Sequence, residues 1–393
     1  MRAVPPVYSP ITLRALVRGV TALGAGRRAL ATVEDRLRDR YGTRGILLTN
    51  SGTSALTLAL RVAARLRPGP VALPAYGCYD LLTACHGAGS TISFYDVSPH
   101  TLGPDPRSLA TAVSEGASAV VIAYLYGFPV DIEAVRAILS ESAAVVIEDA
   151  AQGVGGLYRG DPLGSHGDLS VLSFARGKGR TGGGGGALLT ASTDLARALD
   201  ELRDEMTPGS RLAPLSRAAA QWAFGRPGVY AVPRALPFLG LGSTHYREPG
   251  RVAGMPETAA MMLASCWDAA DGEAERRSRN AIEYARRLCV AGLQPVAVVE
   301  GGRSGYLRYP VLASRALPES LVNRTTRSGV SGGYPVPLPL VAPRPSDHAA
   351  DRLEGAAALA SRLITLPTHG LLRSVDMDRA AAVATAVEAG GSP

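Results

Sequence analysis

Short apolar runs alternate with Ala- and Leu-rich stretches of helical spacing through the first half of the chain. Residues 45–49, 118–126, 144–148, 169–174 and 187–190 are largely apolar and bounded by polar or turn-forming residues, the pattern of strands buried in a sheet. Residues 54–66, 131–140 and 194–205 repeat apolar positions at three and four and read as helices. Strands alternating with helices predict an α/β layer with a mostly parallel central sheet. Upstream, Pro5 and Pro6 precede a helical pattern at residues 11–17, and a second one covers residues 28–41. We expect an N-terminal arm and helix over residues 1–35 and a large domain over 36–245. Residues 207–250 are richer in Pro and Gly with weak periodicity, which suggests a connection with a broken helix. A long helical pattern at 256–288 is followed by strand-like 307–312, a Pro-rich run at 334–345 and a last helix near 375–389. Residues 246–393 are expected to form a smaller C-terminal α+β domain. No internal repeat is visible.

Composition narrows the function. At 393 residues and 46% hydrophobic content, the chain is long and apolar enough to bury roughly three-quarters of its unfolded surface. This argues against disorder, and the 45 glycines show no Gly-X-Y period. No stretch approaches the roughly 18 apolar residues of a membrane span. Met1-Arg2-Ala3-Val4-Pro5-Pro6 lacks the apolar core of a secretion signal, so a cytoplasmic protein with no membrane partner is expected. Cys78, Cys85, Cys266 and Cys289 have the spacing of neither a zinc site nor a CxxC pair, and buried free thiols are expected. The net charge of +7 suits nucleic acid or a small anion. Without a long basic run or a C2H2 pattern, an anionic small-molecule substrate is favoured over nucleic acid.

One residue count changes the picture. Of the 41 basic residues, a single one is lysine, Lys178, which leaves 40 arginines. Arg stays protonated, whereas a Lys amine can lose its proton and attack a carbonyl. A coding bias towards Arg explains the skew equally well, so the surroundings of Lys178 must decide.

Three segments provide surroundings. Asn50-Ser51-Gly52-Thr53-Ser54-Ala55-Leu56 follows a strand and opens a helix, where backbone N–H groups and hydroxyls suit a phosphate. An ordinary N-cap has the same composition. Val145-Val146-Ile147-Glu148-Asp149-Ala150-Ala151-Gln152 ends a strand with an acid. In open α/β sheets that end faces ligand, although a structural ion pair would also place an Asp there. Ser173-Phe174-Ala175-Arg176-Gly177-Lys178 sets a hydroxyl five residues before the lysine, ahead of Thr181 and the glycines at 182–186. The alternative is a flexible loop with a solvated lysine. The run is no nucleotide P-loop, because Leu172 stands where the first Gly is required and Gly179 follows the lysine. Gly24-Ala25-Gly26-Arg27-Arg28-Ala29 fits a dinucleotide fingerprint loosely and lacks a clear preceding strand. Together, a phosphate cradle, a strand-end acid and an amine are what pyridoxal 5'-phosphate requires.

These residues resemble the DegT/DnrJ/EryC1/StrS aminotransferases. The likeness extends to Leu73-Pro74-Ala75-Tyr76, Tyr95-Asp96-Val97-Ser98-Pro99, Tyr124-Leu125-Tyr126-Gly127-Phe128-Pro129-Val130-Asp131, Arg308-Tyr309-Pro310-Val311 and Leu366-Pro367-Thr368-His369. The resemblance implies the fold-type-I pyridoxal-phosphate architecture and a homodimer with shared sites. It implies that Lys178 bonds the cofactor covalently, that Asp149 faces the ring nitrogen and that Gln152 lies near the ring hydroxyl. Gly52, Thr53 and Ser173 would hold the phosphate. An aromatic usually stacks on the ring; the aligned position is Cys78, with Tyr76 and Tyr79 as neighbours, and Tyr76 is the expected one, with core packing the alternative for either tyrosine. The family often carries an acid where Gly184 stands, and an Asn from the partner subunit where Arg251 stands; Arg251 is the expected anion contact. The implied activity moves an amino group, expected to come from L-glutamate, to a keto group of a nucleotide-linked sugar. Alternatives are a cyclitol or other secondary-metabolite carbonyl, or a non-catalytic homologue that only binds. Lys178 argues against the dehydratase branch, in which His replaces the lysine.

Overall fold

The structure is a computed structural model and describes residues 2–24, 28–235, 245–289, 291–322, 325–342 and 353–391. Part of the 207–250 connection, the end of the Pro-rich run and residues 25–27 of the discarded glycine motif lie outside the described residues.

Seven strands form the central sheet: β1 (Gly45–Thr49), β2 (Val71–Pro74), β3 (Ile92–Tyr95), β4 (Ala119–Ala123), β5 (Val145–Asp149), β6 (Leu169–Ser173) and β7 (Gly186–Thr190). Their spatial order is β1-β7-β6-β5-β4-β2-β3. Strands β2 to β6 run parallel, and β7 is antiparallel to both its neighbours. The reversal has a local cause: β6 reaches β7 through a loop at 174–185 without a crossover helix, and parallel pairing would need one. Every residue of β1, β4, β6 and β7 is buried, as a sheet covered on both faces requires. Alternate side chains point to opposite faces. Ile46, Leu48, Val120 and Ile122 join one apolar cluster, while Leu47, Ala119 and Val121 join another. The fold is thus a helix–sheet–helix sandwich, as the fold-type-I expectation required.

Some boundaries differ from the sequence expectation. The run 118–126 is strand only to Ala123; a 3-10 turn, Leu125–Gly127, follows, with Tyr126 left-handed at φ +55°. The pattern at 256–288 is two helices, Glu257–Ser265 and Trp267–Leu288, because Cys266 leaves helical geometry at φ −110°, ψ 7°. Glu257–Ser265 packs against helices Leu13–Thr21 and Arg28–Tyr41. The 207–250 connection contains the helices Leu212–Phe224 and Ala231–Arg234.

A second, antiparallel sheet comprises β8 (Gln294–Pro295), β9 (Tyr309–Leu312), β10 (Ser331–Gly332) and β11 (Leu363–Leu366), in the order β8-β9-β11-β10. It shares an apolar cluster with Tyr284 and Leu288 of the long helix and with Ala380, Ala384 and Val387 of Ser374–Glu388. The four cysteines are free. Among the described residues, no helix is long and apolar enough to cross a membrane.

Candidate active site

The carboxyl ends of β1, β5 and β6 converge on one cleft. Helix Gly52–Leu66 starts two residues beyond β1, and Ser51 caps it by accepting the Ser54 N–H at 3.0 Å. The N–H groups of Gly52 and Thr53, in the first turn, have no intrahelical acceptor and stand at the positive end of the helix. A Cβ on Gly52 would lie 2.7 Å from Ser173 Cβ, so only glycine lets the helix start touch the end of β6. Gly186 does the same for β7, where a Cβ would come within 2.5 Å of the Ser51 carbonyl. These two glycines gather Gly52, Thr53 and Ser173 into a single cradle.

Asp149 ends β5, and its Oδ1 accepts the Ala151 N–H at 3.1 Å. Burial pushes its carboxyl above the usual range, while Lys178 pulls it back. The cleft, of about 40 Å³, is lined by Gly52, Thr53 and Ser173, by Asp149 and Lys178, and by Cys78, Leu56, Leu81, Ala151 and Val171 among others. Anion-binding N–H groups and hydroxyls, a buried acid and an amine fit pyridoxal phosphate, and the apolar walls fit its ring. No group of three or more His, Cys, Asp or Glu able to hold a metal occurs among the described residues.

Tyr76, the expected stacking residue, does not line the cleft. It is fully buried, lies edge-on to Tyr334 at 5.6 Å between ring centroids, and its hydroxyl accepts the Tyr334 N–H at 2.9 Å. The side chain that lines the cleft is Cys78, whose thiol burial pushes up to about 12. The chain reverses direction at residues 75–79, and sequence alone does not say which side chain turns inward.

The glycine run is a packed element. Gly182 to Gly186 are all buried. A Cβ on Gly182 would meet the Ala259 carbonyl at 2.4 Å, and one on Gly183 the Pro214 carbonyl. Gly184, at φ +152°, would place a Cβ 2.6 Å from Arg217, whose Nε donates to the Gly183 carbonyl at 2.8 Å. Helix Leu212–Phe224 thus covers the loop from within the segment whose pattern was hardest to read.

Lys178 also lines a second hollow, of about 220 Å³. Gln152 belongs here: its Oε1 accepts the Tyr126 N–H at 3.0 Å and its Nε2 donates to the Tyr334 hydroxyl at 2.9 Å. Pro6 and Val7 of the N-terminal arm form one wall, and Arg308 and Thr325 lie on others. Sequence reasoning quoted Arg308 as part of a motif and gave it no role, since it is one of 40 arginines. Arg251 lies in a third hollow with Asn50, Ser51, Thr53 and Arg61; its carbonyl accepts from the Asn50 Nδ2 at 3.0 Å. Arg251 and Lys178 line different hollows, and Thr53 borders both.

A family model described as the DegT/DnrJ/EryC1/StrS aminotransferase family matches residues 15–387. An L-glutamine:2-deoxy-scyllo-inosose aminotransferase from Streptoalloteichus tenebrarius is 32% identical over 194 residues, 48% of this chain and 46% of that protein. A dTDP-4-dehydro-2,6-dideoxy-D-glucose 3-dehydratase from Saccharopolyspora spinosa is 34% identical over 207 residues, 48% of this chain and 42% of that protein. The chain thus spans about half the length of these curated relatives. The solved sugar aminotransferase CalS13 from Micromonospora echinospora superposes with a TM-score of 0.71 at 23% identity, covering 98% of this chain and 100% of that one.

Proposed function

We propose, for a chain that belongs to the DegT/DnrJ/EryC1/StrS aminotransferase family, that it is a pyridoxal-phosphate-dependent aminotransferase acting on a keto group of a polyhydroxylated ring. One observation carries this reading: the single lysine of the sequence lies in the same cleft as the strand-end acid Asp149 and the Gly52–Thr53–Ser173 cradle. A solvated, incidental lysine would have no reason to lie there.

When bound, pyridoxal phosphate supplies a protonated ring that withdraws electrons from the substrate α-carbon. The N–H groups of Gly52 and Thr53 and the Ser173 hydroxyl hold the phosphate. The Asp149 carboxylate would pair with the ring nitrogen and keep it protonated, the pairing offsetting its burial. Lys178 Nζ is the group that would hold the cofactor covalently, and its amine would serve as the base that moves the α-proton. Gln152, which lines the adjoining hollow, would face the ring hydroxyl from there. Leu56, Leu81 and Val171 exclude water from the ring.

The donor in this reading is L-glutamate or L-glutamine; the latter appears in the name of the Streptoalloteichus relative. The acceptor is a nucleotide-linked keto sugar. A second acceptor, a keto cyclitol, is favoured by that same relative, which acts by name on an inosose. The large unit is taken as residues 36–245 and the small one as 246–393, with Glu257–Ser265 counted beside the large sheet. A homodimer completing its sites across the interface, with Arg251 facing the partner's cofactor, belongs to the proposal.

The test is a visible spectrum of the protein with pyridoxal phosphate, before and after L-glutamate or L-glutamine. A cofactor band that bleaches with either amino acid is expected, and its return on adding a nucleotide-linked keto sugar or a keto cyclitol identifies the acceptor. No band at all would overturn the enzyme reading in favour of a binding protein.

A further inference from the structure

Lys178 stands between two left-handed glycines, Gly177 at φ +79° and Gly179 at φ +83°. Glycine adopts that conformation without steric cost, but it leaves the backbone free to adopt others. The direction of Lys178 is therefore set by what packs around the loop. Val154 packs on Gly179, where a Cβ would approach it to 2.7 Å. The N-terminal arm does the rest. A Cβ on Gly177 would lie 2.7 Å from Val7 Cγ2, and the Ser9 hydroxyl accepts the Gly179 N–H at 3.1 Å.

Ser9 is buried and is held in turn. Its carbonyl accepts from Gln221 Nε2 at 2.9 Å, and Gln221 Oε1 accepts the Thr181 hydroxyl at 3.4 Å. The arm thus meets the lysine loop directly at Gly179 and, through Gln221, again at Thr181. Its far end is fastened elsewhere. Arg2 Nη2 donates to the Leu371 carbonyl at 2.9 Å, the Val4 N–H donates to the Arg327 carbonyl at 2.8 Å, and the Pro5 carbonyl lies 2.9 Å from His369 Nε2. These partners belong to segments next to β10 and β11 of the small sheet. Between the two anchorages, Pro6 and Val7 wall the hollow that Lys178 shares with Gln152. Pro5, Pro6 and Pro10 fix φ along the arm and stiffen it.

We propose that the arm is a strap and that Ser9 is a positioning residue, which aims the Lys178 amine into the cofactor cleft by holding the Gly179 N–H. The proposal rests on the aminotransferase reading above. In that reading Lys178 Nζ attacks the cofactor's aldehyde carbon, a C=N bond forms, and the aldehyde oxygen leaves as water with the two amine protons. Ser9 does not line the cleft, so its effect falls on the aim of the amine and not on the phosphate cradle or Asp149. A buried N–H that loses its acceptor is costly. Without the Ser9 hydroxyl the glycine-flanked loop turns to other acceptors, and the amine leaves its line of attack.

The experiment mixes the full-length protein, freed of cofactor, with pyridoxal phosphate and follows the growth of the cofactor band by stopped flow. In parallel it measures affinity for pyridoxamine phosphate, which carries an amine in place of the aldehyde and cannot bond Lys178. Ser9→Ala should bond pyridoxal phosphate about tenfold more slowly, the worth of one lost hydrogen bond, and should bind pyridoxamine phosphate as wild type does. Ser9→Thr, which keeps the hydroxyl, should restore part of the rate. A Ser9→Ala protein that bonds as fast as wild type overturns the proposal. So does one that loses rate and affinity in the same proportion, because a merely structural residue would behave that way. Amide exchange in wild type tests the contact whether or not the variants fold. The Gly179 N–H should exchange no faster than the N–H groups of β7, and exchange at the rate of an open loop overturns the proposal. Absence of a cofactor band in wild type would instead defeat the aminotransferase reading.

Discussion

The two hollows that meet at Lys178 are built in opposite ways. The cofactor cleft draws its polar residues from the ends of neighbouring strands in one sheet, within a few residues of β1, β5 and β6. The second hollow is assembled from the N-terminal arm, the Tyr126 turn, the approach to β9, Val322, Thr325 and residues 331–334, which come together only when the small sheet packs against the large one. The first is local and rigid, the second distributed. A site of the first kind should fail abruptly when one residue is changed. The second should fail by degrees, through whatever holds its walls together.

The sharpest way to break the comparison is at the shared residue. Lys178→Ala should lower turnover by about 10⁴-fold or more and abolish borohydride fixation of the cofactor, with an unchanged circular dichroism spectrum. A variant that still fixes the cofactor would remove Lys178 from its role. Asp149→Ala should keep some cofactor but slow the proton-transfer step by about 100-fold, measured by stopped-flow absorbance.

A pH titration separates the two hollows. His369 is buried, its Nε2 lies 2.9 Å from the Pro5 carbonyl, and its Nδ1 is sealed with no acceptor. Burial therefore holds the imidazole neutral and lowers its pKa from 6.5 to about 4. Because the folded value is depressed, the stabilisation is complete above pH 6.5 and is lost as pH falls through about 4, up to roughly 3 kcal/mol. Pro5 precedes the arm residues that wall the second hollow, so urea melts between pH 7 and 4 should show a slope that His369→Gln flattens. An unchanged slope would mean the arm is not fastened this way.

Smaller effects sharpen the cleft itself. Gly52→Ala should destabilise by about 1–3 kcal/mol through its overlap with Ser173 and weaken phosphate binding, read by thermal melts and cofactor titration. Cys78→Ser should change turnover least, because the half-buried thiol, pushed up to about 12, stays protonated at neutral pH and offers the cleft only contact. A loss beyond about tenfold would give Cys78 a chemical part.

How far the sequence could be read follows the same division. β1, β4, β5, β6 and β7 announce themselves as apolar runs, and the residues that act at their ends are counted off from them. β2 and β3 are four residues each and too short to stand out. The antiparallel sense of β7 depends on what the connecting loop does, not on the strand itself. The inward turn of Cys78 in place of Tyr76 is a matter of backbone direction over three residues. Arg308 was hidden by number: an arginine in a chain with 40 of them carries no signal until its place on the wall of the second hollow is seen.

The scarcity of lysine has a practical side. A protease that cuts only after lysine has one bond to attack in this sequence, Lys178–Gly179. Gly179 is buried, and its N–H is held by the Ser9 hydroxyl at 3.1 Å. Digestion would therefore yield two fragments split at that bond, at a rate set by how often this one loop opens. The protein carries its own reporter of local unfolding, and a ligand that closes the cleft should slow the clock.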